Sequence, residues 1–131
     1  MQITFCTKDK IFDVMKFIDE HWRKNHVLSQ NIELINYQHY DEVYDRYNYI
    51  VACSQDNKIE GLLGFIPASK YDSTKDDYVW LSLWKTISET DKNLGLKLLM
   101  FLEKNIPHKL IGTLGISEEA EKIYKILRYK T

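Results

Sequence analysis

Two apolar runs joined by a short polar turn constrain the fold of this chain more than any other feature. The runs are residues 48–54 and 59–66, and residues 55–58 (Gln-Asp-Asn-Lys) separate them. Asp and Asn tolerate the backbone conformations that a tight hairpin turn requires. Pro67 ends the second run, because proline cannot donate a hydrogen bond to a neighbouring strand. The sequence therefore predicts an antiparallel hairpin.

A strand–helix–strand pattern follows the hairpin. Residues 78–84 and residues 110–116 are apolar runs of strand length. Between them, leucines recur at helical spacing and predict a helix that ends near Pro107. These leucines are Leu94, Leu98, Leu99 and Leu102. Two strands that are separated by a helix pair in parallel, so this part of the sheet should differ from the hairpin.

The remaining segments complete one α/β domain over residues 1–131. Residues 3–7 predict a first strand, and apolar residues from Ile11 onward follow helical spacing. A break at residues 29–31 starts a second helical region, which the spacing of Tyr40, Tyr44 and Tyr47 extends. A last helix is predicted after Ser117. The full order is β-α-α-β-β-β-α-β-α around a mixed sheet.

Composition and residue spacing argue against several classes of function. The net charge is −1, so bulk electrostatics favour neither nucleic acid nor an anionic membrane. No apolar run approaches the roughly 18 residues that a membrane-spanning helix needs. Cys6 and Cys53 stand far apart and predict buried free thiols in a reducing compartment, so we expect a cytoplasmic protein. The four histidines show no metal-ligand spacing, and no metal is expected.

Two segments carry candidate chemistry. Asn93, Leu94, Gly95 and Leu96 lie between a predicted strand and a helix, where backbone amides can hold a pyrophosphate. In the last predicted helix, Ser117 is a good N-cap, and the spacing of apolar residues puts Tyr124 on the buried stripe. A buried phenol must find a hydrogen-bond partner or use its hydroxyl for something.

The element order and these two segments resemble the GCN5-related N-acetyltransferase (GNAT) superfamily. The pyrophosphate loop of that family reads roughly Arg/Gln-x-x-Gly-x-Gly/Ala and opens the central helix. Here Asn93-Leu94-Gly95 stands for Gly-x-Gly, and Asn also tolerates left-handed backbone geometry. Lys92 takes the place of the loop's usual cation.

A later family motif, roughly Asn-x-x-Ala-x-x-x-Tyr, resembles Ser117, Ala120 and Tyr124 at the same spacing. The family usually adds a terminal pair of strands beyond this helix, and this chain stops before them. The sequence is also similar to the N-terminal acyltransferase-type domain of longer bacterial proteins, some of them linked to surface-polysaccharide biosynthesis. A further domain of the same polypeptide is therefore expected.

The resemblance implies an acyl-CoA-dependent N-acyltransferase with acetyl-CoA as cosubstrate. Its acceptor would be an amine, with an amino sugar or small molecule favoured over a protein. The backbone amides of Leu83, Trp84 and Lys85 would contact the acyl oxygen and pantetheine. Lys92, the four residues that follow it and Ser117 would hold the rest of the cofactor. Tyr124 would protonate the departing thiolate, since an ordinary phenol carries its proton at neutral pH.

Other interpretations stay open at this point. The chain could be a non-catalytic GNAT-fold binding module of a larger protein, or a flavodoxin-like phosphate binder, although the antiparallel hairpin argues against the latter. Tyr124 could be a core phenol, and Gly95 could serve only a close helix–strand contact. Glu60 and Asp77 are both candidates for the general base, and the sequence does not choose between them.

Overall fold

The computed structural model describes residues 1–68, 78–106 and 110–113. Over these ranges the protein is a six-stranded sheet with helices on both faces, with β1-β3-β4-β5-β6 as neighbours and β2 paired to β3. The strands are β1 (Gln2–Cys6), β2 (Tyr40–Asp41), β3 (Arg46–Cys53), β4 (Ile59–Pro67), β5 (Tyr78–Thr86) and β6 (Leu110–Thr113). The helices are α1 (Ile11–Phe17), α2 (Val27–Gln30), α3 (Ile32–His39) and α4 (Leu94–Asn105). A 3₁₀ turn (Lys8–Lys10) precedes α1 and a π-helical turn (Ile18–Trp22) follows it.

The sheet is mixed, as the sequence predicts. β3 and β4 form the antiparallel hairpin, and Pro67 is the last residue of β4. β5 pairs antiparallel with β4 and parallel with β6, so the strand–helix–strand unit has the expected parallel pair. The second helical region starts at Ile32, directly after the predicted break, and the Asn31 side chain accepts a hydrogen bond from Leu34 N at 3.1 Å. The break itself is shorter than predicted, because Ser29 and Gln30 are the last residues of α2. The last predicted helix lies outside the described residues.

Alternate residues of the central strands point to two separate cores. Tyr49 and Val51 of β3 join α1, α2 and α3 on one face of the sheet. Ile50 and Ala52 face α4 on the other side. This alternation is the two-residue period of a strand, and β3 is buried on both faces because helices cover both. We call the two sides the α3 face and the α4 face.

The helix predicted through Tyr40, Tyr44 and Tyr47 is wrong. Helix α3 ends at His39, Tyr40 opens β2, Tyr44 lies in a turn and Tyr47 belongs to β3. The Asp41 carboxylate accepts hydrogen bonds from Val43 N and Tyr44 N, at 3.0 and 3.2 Å, and so closes the turn. Such a local side-chain bond competes with helix formation, and the tyrosine spacing carries no information about it.

The start of α4 lies unusually close to β4 at Gly61. A Cβ atom on Gly61 would be 3.0 Å from Leu94 Cδ2 and 3.2 Å from Leu98 Cδ1. Both leucines are fully buried, so the absence of a side chain at Gly61 lets the first turns of α4 rest on the strand. Ile87 N donates to Glu60 O at 2.8 Å and holds the segment that leaves β5. These contacts fix the start of α4 beside the end of β5.

Candidate active site

A β-bulge interrupts β5 at Ser82. Gly64 of β4 is opposite Leu83, and the next residue, Phe65, is opposite Leu81, so Ser82 is the extra residue. As a result Leu81 packs on the α4 face, whereas Leu83 packs on the α3 face. Bulges re-aim side chains and are over-represented next to active sites.

The residues predicted to contact the acyl group follow this bulge. Leu83, Trp84 and Lys85 pair with β4, and they lie beyond the last described pair of β5 with β6, which is Leu81 with Thr113. Leu83 is buried, and Trp84 and Lys85 are half-buried. Residues 114–116, the end of the predicted strand over residues 110–116, lie outside the described residues.

Asp91 organises the loop before α4. Its carboxylate accepts a hydrogen bond from Asn93 N at 3.1 Å, and its carbonyl oxygen accepts one from Leu94 N at 3.3 Å. The Lys97 ammonium lies 2.7 Å from the second carboxylate oxygen. The hydrogen bond from Lys97 is the largest cause that lowers the pKa of Asp91 below its ordinary value. The loop therefore contains an acidic group whose charge is balanced within the first turn of the helix.

The four amides predicted to hold a pyrophosphate divide into two pairs. Those of Asn93 and Leu94 donate to Asp91. Gly95 and Leu96 are the second and third residues of α4, positions whose amides have no carbonyl partner within a helix and carry the positive end of its dipole. Lys92 is exposed just before them. Lys97 was not predicted as part of this loop, because nothing in its spacing from Asp91 indicates the contact.

A polar cluster lies beside the bulge on the α3 face. The His39 ring is fully buried and stacks on Tyr49, with centroids 4.2 Å apart and planes 23° from parallel. His39 Nδ1 lies 3.3 Å from Asn48 O, and His39 Nε2 lies 3.5 Å from the Ser82 hydroxyl oxygen. Ser82 itself is exposed. Burial raises the pKa of the Tyr49 phenol, so that group stays protonated.

Gly64 makes room for this cluster. A Cβ atom there would collide with the Ser82 hydroxyl oxygen and would be 2.8 Å from Tyr49 Cε1. Sequence reasoning missed the cluster because Ser82 reads as an ordinary polar position in a strand. The sequence gives no role to His39, because its spacing from the other histidines matches no metal site.

Several predicted residues are not tested. Ser117, Tyr124 and the candidate base Asp77 lie outside the described residues. Glu60 is half-buried on β4, and its assignment as a general base stays a prediction. In the three described ranges, no group of three or more His, Cys, Asp or Glu side chains could hold a metal ion. Within those same ranges, no helix is long and apolar enough to cross a membrane.

No protein-family model and no curated protein matches this chain. Solved structures do match it. A candidate acetyltransferase of Pyrococcus horikoshii has a TM-score of 0.68 and 14% identity, over 97% of this chain and 42% of that protein. A Trypanosoma brucei acetyltransferase has a TM-score of 0.64 and 14% identity, over 99% of this chain and 92% of that protein. The fold is GNAT-like.

A Staphylococcus aureus N-acetyltransferase matches as well, with a TM-score of 0.57 and 17% identity, over 97% of this chain and 89% of that protein. Identities this low establish the fold alone. This chain spans less than half of the Pyrococcus protein. The sequence resemblance predicts cofactor contacts on β5 and at the start of α4, and these contacts stay a prediction.

Proposed function

We propose that this domain is an acyl-CoA-dependent N-acyltransferase that moves an acetyl group from acetyl-CoA to a small amine. The bulge at Ser82 carries the proposal, because it lies where β5 runs past its last described pair with β6. The same stretch of β5 ends beside the first turn of α4. A cofactor there would meet strand amides at its acyl end and helix amides at its pyrophosphate.

The start of α4 supports the pyrophosphate end of the site. The amides of Gly95 and Leu96 point out of the first turn, and anions bind at such positions. Lys92 adds an exposed ammonium group close by. Asp91 would oppose an anion if its charge were free, but the Lys97 ammonium 2.7 Å away offsets that charge. We assign Leu83, Trp84 and Lys85 to the pantetheine and acyl group, and Ser117 to the far side of the cofactor.

The chemistry requires a neutral amine, a polarised thioester carbonyl and a proton for the leaving thiolate. Amides of β5 beyond the bulge would polarise the carbonyl. We propose that the Tyr124 hydroxyl donates the proton to the leaving thiolate. The amine attacks the thioester carbon, the carbon–sulfur bond breaks, and the thiolate takes the phenolic proton. The amide nitrogen gives up one proton in the same reaction, and this proton passes through solvent to restore the Tyr124 phenol.

A thiol-release assay with acetyl-CoA tests this function, with glucosamine, spermidine and Nα-acetyl-lysine as acceptor probes. Tyr124→Phe should lower kcat about 10²-fold, the usual contribution of a general acid. Its affinity for acetyl-CoA should hardly change, because the ring remains. Tyr44→Phe, in the exposed turn before β3, is the matched control and should keep wild-type kcat. Absence of release with every probe would contradict an acyltransferase of this acceptor class.

A second candidate is a non-catalytic module that binds CoA weakly within a larger protein. The observation that favours it is the occupation of two of the four loop amides by Asp91. A catalytically inactive module would still bind acetyl-CoA at the start of α4. Binding without release for any amine would therefore support the module and refute the enzyme.

A further inference from the structure

N-acyl transfer needs a base, because a primary amine is protonated at neutral pH and only its neutral form attacks a thioester. We propose that Ser82 and His39 form a proton relay that deprotonates the acceptor amine. This inference rests on the proposed function and adds two residues to it. Ser82 would contact the amine, and His39 would be the final proton acceptor.

Two contacts of His39 indicate which ring nitrogen carries the proton. Nδ1 lies 3.3 Å from Asn48 O, and a backbone carbonyl can only accept, so Nδ1 carries the ring proton. In the neutral ring, Nε2 then presents a lone pair. Nε2 lies 3.5 Å from the Ser82 oxygen, so the hydroxyl is the donor between the two. The geometry is that of a hydroxyl activated by an imidazole, which a third group orients.

The packing holds this arrangement in place. His39 is fully buried and stacks on Tyr49, so the ring cannot turn freely. Gly64 leaves space for the Ser82 hydroxyl and the Tyr49 ring. Ser82 is exposed, so it is the member of the cluster that an external amine can reach. The bulge places Ser82 next to Leu83, the first of the residues assigned to the acyl group.

The step balances without any other reactant. One N–H bond of the ammonium breaks and its proton passes to the Ser82 oxygen, while the original Ser82 proton passes to His39 Nε2. The products are a neutral amine, an intact serine hydroxyl and an imidazolium whose Nδ1–H still faces Asn48 O. After acyl transfer the imidazolium returns its proton through Ser82 to water. Serine is never acylated.

Kinetics with two kinds of acceptor separate a relay from a structural role. Ser82→Ala should lower kcat for spermidine by about 10²-fold and leave the acetyl-CoA KM unchanged. Hydroxylamine, which is largely neutral at pH 7, needs no base, so its kcat should fall by less than about threefold. Ser82→Thr keeps a hydroxyl and should recover most of the activity. Ser54→Ala, in the turn between β3 and β4, is the matched control.

If Ser82→Ala lowers kcat equally for spermidine and hydroxylamine, the proton relay is wrong, whereas the proposed acyltransferase activity still holds. If the wild-type protein transfers acetyl to neither acceptor, both the relay and the proposed acyltransferase function are wrong. A measurement that needs no turnover adds a further test. Long-range ¹H–¹⁵N spectra of the wild-type protein should show His39 protonated at Nδ1 and bare at Nε2. A proton on Nε2 would overturn the proposal, since Ser82 could then not donate to it.

Discussion

The contact between α4 and Gly61 predicts a non-additive pair of mutations. Leu98 is fully buried, and Leu→Ala in such a position costs about 2–5 kcal/mol. Gly61 faces Leu98 without a side chain to fill the cavity, so we expect the upper part of that range, about 3–5 kcal/mol. Gly61→Ala alone would place a methyl 3.0 and 3.2 Å from two leucine methyl groups, which costs about 1–3 kcal/mol.

In the Leu98→Ala background the 3.2 Å approach to Leu98 is gone, and the Leu94 side chain, 3.0 Å from the new methyl group, can move into the vacated space. Gly61→Ala should then cost nearly nothing or stabilise, which gives a coupling of about 1–3 kcal/mol. Urea unfolding followed by circular dichroism measures the four free energies. Leu99 is equally buried on α4, but none of its atoms is among the three nearest to a Cβ on Gly61. The double-mutant cycle of Leu99→Ala with Gly61→Ala is therefore the control. Additivity in the Leu98 cycle, within about 0.5 kcal/mol, would refute the close contact.

Two predictions concern pH. Burial and the nearby Asp9 charge raise the pKa of Cys6 from 9.0 to about 12, so the folded state disfavours the thiolate. The free energy of unfolding should fall as the pH rises above about 9, and Cys6→Ala should flatten that slope in urea titrations between pH 8 and 10; an identical slope would contradict a buried thiol. The pKa of Asp91 is lowered chiefly by Lys97, so its stabilising effect is present at neutral pH and lost as the pH falls below about 4. Asp91→Asn should therefore lose less stability than the wild type between pH 5 and 3, and parallel curves would count against the Asp91–Lys97 contact.

Local patterns are sufficient for most of the architecture. The hairpin and α4 follow from a turn sequence and from leucines at helical spacing, both of which act over a few residues. The helix predicted through the tyrosines after α3 was wrong because the Asp41 carboxylate accepts a hydrogen bond from Val43 N and favours a turn, which residue spacing does not show. Competition between local hydrogen bonds and a helix is decided by geometry that spacing cannot express.

The candidate site also has one part that local sequence predicts and one part that it does not. The loop before α4 could be located, since Asn93 and Gly95 lie between a predicted strand and the leucines that predict a helix. The bulge at Ser82 could not be predicted, because an extra residue is defined by the pairing of β5 with β4 and not by the sequence pattern of β5 itself. His39 and Ser82 are 43 residues apart, and only the packing of α3 over the sheet brings them together.

The most direct test of the central claim is a calorimetric titration of the protein with acetyl-CoA, with adenosine diphosphate as the ligand control. We expect one site per chain for acetyl-CoA and weaker binding of adenosine diphosphate, which lacks the pantetheine that β5 would contact. Gly95→Val, in the first turn of α4, should abolish acetyl-CoA binding while the domain stays folded by circular dichroism. Undetectable binding of acetyl-CoA to the wild type, or unchanged affinity in folded Gly95→Val, would contradict a cofactor site at the start of α4.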